Sequence, residues 1–379
     1  MLSAGKPEDV EMDGARLERA FDLLRGWVED GTLPGASALV ARRGVVVGRR
    51  WFGDAVRTPE RKPIGPETLF AAASITKPFT ATAIMQLVEQ GRLSIDQPVH
   101  ELLPEFAGHG KEHITLRHFL THTSGLPEYC EDDDEIRRNR LGLDAFVRSY
   151  CRGRLLFPTG SQWSYSNYGF GLAGEIIARQ SGRSYHTFVA EHILAPLAMG
   201  DSYLQPPESV WDRIAWVWLP NEPQTDHERY NSPYFRKLGI PWGGLYTTPE
   251  DLAVFAQTFL LGGAYQGRRI VCPATAREMI RNQLSESIRD TSGVARWRAA
   301  SWGLGWDVKG QKAPHNSGAL TSPSTFGHTG SSGTMLWADP ALDLICVMIG
   351  TRLAESGWVD APVPRRALFS NAVVASVLN

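Results

Sequence analysis

Strand-like segments in this 379-residue chain gather near its two ends, and most of what lies between them reads as helix or turn. Ser37-Ala-Leu-Val-Ala-Arg42 and Gly44-Val-Val-Val-Gly-Arg-Arg-Trp51 have the pattern of a β-hairpin over Ala36 to Trp51. Far downstream, Thr334-Met-Leu-Trp-Ala338 and Leu342-Asp-Leu-Ile-Cys-Val-Met-Ile349 fall in a strand-rich block from Phe326 to Thr351, with a turn at Asp339-Pro340. This placement implies one sheet closed by both ends of the chain, with a helical region inserted. Strand and helix patterns are segregated in sequence, so the expected class is α+β, not a doubly wound parallel sheet. The expected units are a sheet domain of 1–75 with 240–379, and a mostly helical domain of 76–239.

Helical spacing supports that division. Leu17, Ala20, Phe21, Leu24, Trp27 and Val28 form one apolar stripe between Asp13 and Asp30, stopped by Gly31 and Pro34. Further helices are expected over Pro78 to Glu89, Leu116 to Leu120, Gly171 to Gln180, Tyr185 to Ile193, Pro249 to Leu261 and Pro364 to Leu378. The acidic run Glu131 to Glu135 reads as a solvated loop. Tyr203 to Trp242, rich in Trp, Tyr and Pro, reads as a long ordered surface excursion, which could line an apolar pocket or wrap the helices.

Charge narrows the function. With 39 basic and 41 acidic residues the net charge is −2, which argues against a nucleic-acid partner. No apolar stretch reaches the roughly 18 to 20 residues of a membrane span. Residues 1–9 lack the pattern of a signal peptide. The four cysteines, Cys130, Cys151, Cys272 and Cys346, do not form a disulfide framework, so a cytoplasmic protein is expected.

Three short motifs carry the candidate chemistry. In Ala71-Ala-Ala-Ser74-Ile-Thr-Lys77-Pro78, Ser74 and Lys77 share a helix face, with Cβ atoms roughly 5–6 Å apart. Pro78 is tolerated only near a helix start, which puts both residues in about the first turn. There the free N–H groups and the positive dipole end favour anionic oxygen. Spacing alone equally allows a helix cap and an exposed lysine, and Ser3-Ala-Gly-Lys6 repeats it in a segment that cannot be helical. Trp163-Ser-Tyr165-Ser-Asn167-Tyr168 can bring a phenol and a carboxamide into one cleft, or serve as a structural turn. Phe326-Gly-His328-Thr-Gly330-Ser-Ser-Gly333 precedes a strand, and its glycines permit close backbone approach to a ligand.

Other patterns lack their context. Gly169-Phe-Gly171-Leu-Ala-Gly174 matches a dinucleotide fingerprint but follows no buried strand, so close helix packing is the better reading. His118 and His122 are four apart, and five of the ten histidines lie between His100 and His122. No glutamate follows the first one, and no further metal-ligand pattern appears. The Gly-x-Ser-x-Gly elbow of α/β-hydrolases is missing from the sequence.

Taken together, Ser74-Ile-Thr-Lys77, Tyr165-Ser-Asn167 and His328-Thr-Gly330 resemble, in order and rough spacing, the motifs of the serine β-lactamase and penicillin-binding-protein superfamily. The resemblance is greatest to its class C-like branch, which includes family VIII carboxylesterases, D-aminopeptidases and acyltransferases. The stretches Ile114 to Pro127 and Gly243 to Leu252 are similar too, and the likeness runs from about residue 15 onward. It implies an active site in a cleft between an antiparallel sheet and a helical domain. It implies Ser74 as the acyl-forming nucleophile, Lys77 and Tyr165 as proton-transfer groups, and Asn167 as a hydrogen-bonding partner for substrate or Lys77. The oxyanion would meet the backbone N–H groups of Ser74 and Ser331, next to Gly330. Free Lys and Tyr titrate near 10.4 and 10, so either needs a shift of about 3 units to act as a base at neutral pH. The two form one coupled unit.

One position departs from the lactamase pattern. The superfamily's β-lactamases usually carry Lys where this chain has His328, and a largely neutral imidazole anchors a carboxylate less well. That shifts the expected substrate towards uncharged small-molecule esters, cleaved without metal or organic cofactor. D-aminopeptidase or amidase, β-lactamase and acyltransferase are the alternatives within the superfamily, and a catalytically retired binding protein is the alternative outside enzymes.

Overall fold

The structure is a computed structural model that describes residues 2–56, 60–219, 230–290, 300–353 and 364–379. Its main sheet has eight strands: β1 (Ser3–Ala4), β2 (Gly35–Arg42), β3 (Val45–Val56), β4 (Lys62–Pro63), β5 (Asp307–Val308), β6 (Phe326–Gly330), β7 (Thr334–Asp339) and β8 (Leu344–Gly350). They run in the order β1-β3-β2-β8-β7-β6-β5, with β4 on β3. All neighbours are antiparallel except β1 and β3. The seam that joins the two ends of the chain is β2 against β8, from Ala36 opposite Gly350 to Arg42 opposite Leu344. The sheet closed by both ends, as expected from the strand patterns, is therefore present.

Both faces of this sheet are covered, which explains the unbroken apolar run Leu344 to Ile349. Alternation is still legible within it. Ala36, Ala38, Val40, Met335, Trp337, Cys346 and Met348 face one core, shared with helices α1 (Gly14–Glu29) and α5 (Arg365–Val374). Leu39, Ala41, Leu336, Ala338, Ile345, Val347 and Ile349 face the larger core, shared with α2 (Thr76–Glu89), α3 (Tyr168–Ser181) and α4 (Pro249–Leu260). The structure has the α+β layering of the sequence reading. Asp13 caps α1 by accepting from Arg16 N at 3.0 Å.

Local departures have local causes. The acidic run is not a plain loop: Asp133–Arg138 is helical, and Asp133 is buried because Arg137 pairs with it at 2.6 Å. Strand β8 begins at Leu344 rather than Leu342, since Asp343 turns with φ +47°. The helix at Tyr185 ends at Val189 and continues as a wider turn over Ala190–Leu194. The C-terminal helix spans only Arg365–Val374. In the excursion from Tyr203 to Trp242, residues 220–229 lie outside the described residues. Its first part is tied to the sheet, with Trp216 N donating to Ala55 O in β3 and Trp218 N to Thr351 O just after β8. Among the described residues, no helix is long and apolar enough to cross a membrane.

Candidate active site

Between Thr68 and Leu87 every residue is buried except Ser74. Helix α2 is buried on all sides, as a central helix is, and Ser74 sits in the tight turn Ala73–Ile75 that leads into it. Pro78 falls in the first turn of α2, where its missing N–H leaves no hydrogen bond unmade. Just before Ser74, Ala73 has φ +48°, a left-handed conformation that a side-chain-bearing residue adopts only when its surroundings enforce it. The enforcement is visible. Thr76 Oγ1 donates to Ala73 O at 2.7 Å and accepts from Leu245 N at 3.0 Å, and Ala72 N donates to Leu245 O at 2.8 Å. The result is one hydroxyl turned outward from an otherwise buried segment.

Lys77 is fully buried, with Nζ 3.0 Å from Ser74 Oγ and donating to Trp242 O at 2.9 Å. The strap that carries this carbonyl is held by Thr80 Oγ1, which donates to Pro241 O at 2.6 Å. Burial pushes the Lys77 ammonium well below its ordinary pKa, against a weaker upward pull from Glu128. Lys77 Nζ lies 4.7 Å from the centroid of the Tyr165 ring. Burial raises the Tyr165 phenol well above its ordinary range, and a hydrogen bond with Ser74 opposes that rise.

Two histidines complete the surroundings of Tyr165. The His122 ring lies 4.4 Å from the phenol centroid and the His328 ring 6.2 Å, with Trp302 between them in edge contact with both imidazoles. Each has one nitrogen already engaged. His122 Nδ1 accepts from Ser166 N at 3.1 Å, and His328 Nδ1–H donates to Thr329 O at 2.7 Å. Burial first, and Lys77 second, push His122 well below its ordinary value and His328 down to about 3. Burial leads in both cases, so their neutrality does not depend on a charge at Lys77. At neutral pH the phenol and both imidazoles are therefore uncharged, and burial disfavours a charge on the Lys77 amine as well.

The strand bearing His328 is fastened to the nucleophile turn. A Cβ at Gly330 would stand 2.4 Å from Ala72 O and 3.1 Å from Ala73 Cβ, so only glycine allows this approach. Ser332 Oγ donates to Ala71 O at 2.5 Å and Thr334 Oγ1 to Ala72 O at 3.0 Å. A cleft opens there, lined by Ser74, Asn167 and Ser331 together with Tyr230, Trp242 and the Asp133–Arg137 pair. Ser331 Oγ is 2.5 Å from Tyr230 Oη. Asn167 is buried beside the cleft, and its Oδ1 has no hydrogen-bond partner among the described residues.

Thus Ser74, Lys77, Tyr165, Asn167, His328, Gly330 and Ser331 converge, although the sequence separates them by up to 257 positions (331 − 74). His122, Trp302, Tyr230 and the Asp133–Arg137 pair were not singled out as site residues. His122 carries two sequence signals, its place in the Ile114 to Pro127 stretch and its spacing from His118, the second of which points to a metal pattern and not to this site; Trp302 has none. The decoys resolve physically. Added Cβ atoms at Gly169, Gly171 and Gly174 would strike Phe119, Tyr150 and Pro241, so these glycines serve packing. His118 Nδ1 is engaged by Thr115, and Ser3 lies on exposed β1. A Ser317–His315–Asp307 chain looks like a second triad, but Ser317 is buried and its hydroxyl also meets Thr321 Oγ1 at 2.9 Å.

Comparison with known proteins agrees with this geometry. The beta-lactamase family model matches residues 20–367. Esterase EstB of Burkholderia gladioli is 29% identical over 390 residues, covering 92% of this chain and 93% of its own. The crystal structure of a penicillin-binding-protein homologue from Caulobacter crescentus superposes with a TM-score of 0.79 at 29% identity, covering 95% of this chain and 97% of the other. A family VIII carboxylesterase shares the fold with a TM-score of 0.77 at 23% identity, covering 96% and 98%. On these grounds the chain belongs to the beta-lactamase family and is a serine hydrolase.

Proposed function

We propose that the chain cleaves uncharged carboxylic esters through an acyl-enzyme on Ser74. The observation that carries this reading is a fully buried Lys77 amine, its pKa pushed down by that burial, 3.0 Å from the one outward-facing hydroxyl of its segment. Ser74 Oγ attacks the ester carbonyl carbon as its proton passes to Lys77 Nζ. The carbonyl oxygen, now negative, meets the N–H groups of Ser74 and Ser331, a term worth about 2.7–4 kcal/mol per donor in well-studied cases. Tyr165 gives its proton to the departing alcohol oxygen, and Lys77 returns a proton to the phenolate, restoring both groups. In deacylation the attacking water gives its proton to Tyr165 Oη as the phenol passes its own to Lys77, so that no free phenolate forms, and Lys77 protonates Ser74 Oγ as it leaves. General acid–base assistance of this kind contributes about 10²–10⁴-fold.

Substrate preference follows from charge. His328, neutral at working pH, offers no cation for a carboxylate, and Tyr230 and Trp242 give the cleft an aromatic wall. Small to medium neutral esters fit these surroundings. An amide substrate is the second reading, favoured by the unpartnered Asn167 Oδ1, because an ester has no N–H to offer it.

The test is intact-protein mass spectrometry after exposure to a p-nitrophenyl ester, a matched p-nitroanilide and a penicillin, in parallel with Ser74→Ala. An acyl adduct that maps to Ser74, with ester turnover exceeding anilide and penicillin turnover, is expected. No adduct with any reagent overturns the enzyme reading, and faster anilide turnover replaces the ester by the amide.

A further inference from the structure

We propose that Arg366 is a positioning residue for the oxyanion-binding peptide between Gly330 and Ser331; this rests on the reading of Ser331 N–H as an oxyanion donor. Arg366 stands in the first turn of α5, on the far side of the sheet from α2, and is buried with 3% exposure. Its Nη2 donates to Gly330 O at 3.0 Å. The same oxygen accepts from Gly333 N at 3.1 Å. Gly330 C=O and Ser331 N–H belong to one peptide unit, which is planar and trans, so they point in opposite directions. Fixing the carbonyl from behind therefore fixes the N–H that faces away from α5.

Rigidity comes from the way α5 is seated. Phe369 and Val373 are buried in the core under the sheet, and Trp337 Nε1 donates to Ser370 Oγ at 2.9 Å. Asn371 Oδ1 accepts from Ala319 N at 2.8 Å and Leu320 N at 3.1 Å. The guanidinium is planar and permanently charged, so it holds a direction as well as a distance. A full positive charge on the carbonyl oxygen also polarises the amide, and linked hydrogen bonds strengthen one another by about 10–30% in condensed phase. Arg366 is not among the residues that line the cleft, and its contact with the site is the one to the Gly330 carbonyl. On the other edge, Ser332 and Thr334 hold the same turn to Ala71 and Ala72. The two oxyanion donors are thus fixed relative to one another from both sides.

The experiment compares Arg366→Ala, Arg366→Gln and Arg366→Lys with the parent protein. Readouts are kcat and KM for p-nitrophenyl butyrate, the affinity of an alkyl boronic acid that becomes tetrahedral on Ser74, and the thermal midpoint. Removing an oxyanion donor outright costs about 10²–10³-fold in kcat, so loosening one should cost about tenfold. Arg366→Ala is expected to lower kcat and boronate affinity by the same factor, with KM within about twofold of the parent. Arg366→Lys, which keeps a charged donor, should lie nearer the parent than Arg366→Gln. If Arg366→Ala does not fold, the Lys and Gln variants decide. An unchanged boronate affinity, equal losses in Lys and Gln, or a kcat loss that only tracks the folded fraction overturns the proposal. A parent protein whose Ser74 takes up neither ester nor boronate overturns the reading beneath it; uptake with Arg366-independent affinity overturns this inference alone.

Discussion

Lys77 is costly to the fold and central to the chemistry proposed for it. A buried amine with 0% exposure is destabilising when charged, and this burial pushes its pKa down, towards the form that can accept a proton. Lys77→Met should therefore abolish acylation, by about 10²–10⁴-fold, while the thermal midpoint stays level or rises; a lowered midpoint would mean that the amine's hydrogen bond to Trp242 O outweighs its desolvation. Acylation of Ser74 should increase as pH rises through the depressed Lys77 value and then level off. A stopped-flow pH profile with no rising limb would contradict the amine as base. His328 gives a separate pH signature. Its folded value lies at about 3 against 6.5 for an ordinary histidine, so between these the unfolded chain binds the extra proton. Stability is lost as pH falls from 6.5 towards 3, with a slope of up to about 1.4 kcal/mol per pH unit for one proton. Denaturant melts of His328→Asn should show a shallower acid loss than the parent.

Short elements, rather than long ones, set the distances in the cleft. The turn after β6 and the turn before α2 meet through Gly330, Ser332 and Thr334, each of which needs its particular size or hydroxyl. Gly330→Ala would place a Cβ 2.1 Å from Thr334 Oγ1 and 2.4 Å from Ala72 O, so the two turns must separate. Activity should fall by about 100-fold, the cost of a displaced reacting geometry of about 1 Å, and a crystal structure of the variant would reveal the widened gap. Gly174→Ala acts on the other wall. Its Cβ would lie 2.3 Å from Pro241 Cγ, on the strap whose next carbonyl holds Lys77. A stability loss of about 1–3 kcal/mol is expected from such overpacking, with a fall in kcat that a change on the far side of α3 would not cause.

At the scale of the molecule, the reactive groups depend on the β2–β8 seam, because it joins strands about 300 residues apart in sequence. Helix α5 covers the face opposite the cleft, where Met335, Trp337 and Met348 would otherwise meet water. Phe369→Ala, at 0% exposure, should cost about 3–5 kcal/mol. A chain ended at residue 364 should lose its cooperative thermal transition by calorimetry; a preserved transition would make α5 dispensable to the fold.

Residues close in sequence carried the readings that needed only local physics. The short apolar, β-branched runs bounded by turn residues in Ala36 to Trp51 and Thr334 to Ile349, the stripe from Leu17 to Val28, and the proline that starts α2 all act over a few bonds, so the order of side chains is sufficient to specify them. The acidic run misled because Asp133 depends on one guanidinium four residues on and on burial, which polarity alone does not encode. The three motifs identified the family, but spacing could not give the shifted pKa values of Lys77, Tyr165 and His328. Desolvation is a property of everything packed around a group, and here His122, Trp302 and Trp242 arrive from distant parts of the chain. The sequence by itself determined most of the elements, the sheet's two-ended origin and the three motifs that bear the proposed reactive side chains. Only the tertiary structure decided their separations, their charges and the anchoring of Gly330 by Arg366, because each of these is a sum over contacts between residues far apart along the backbone.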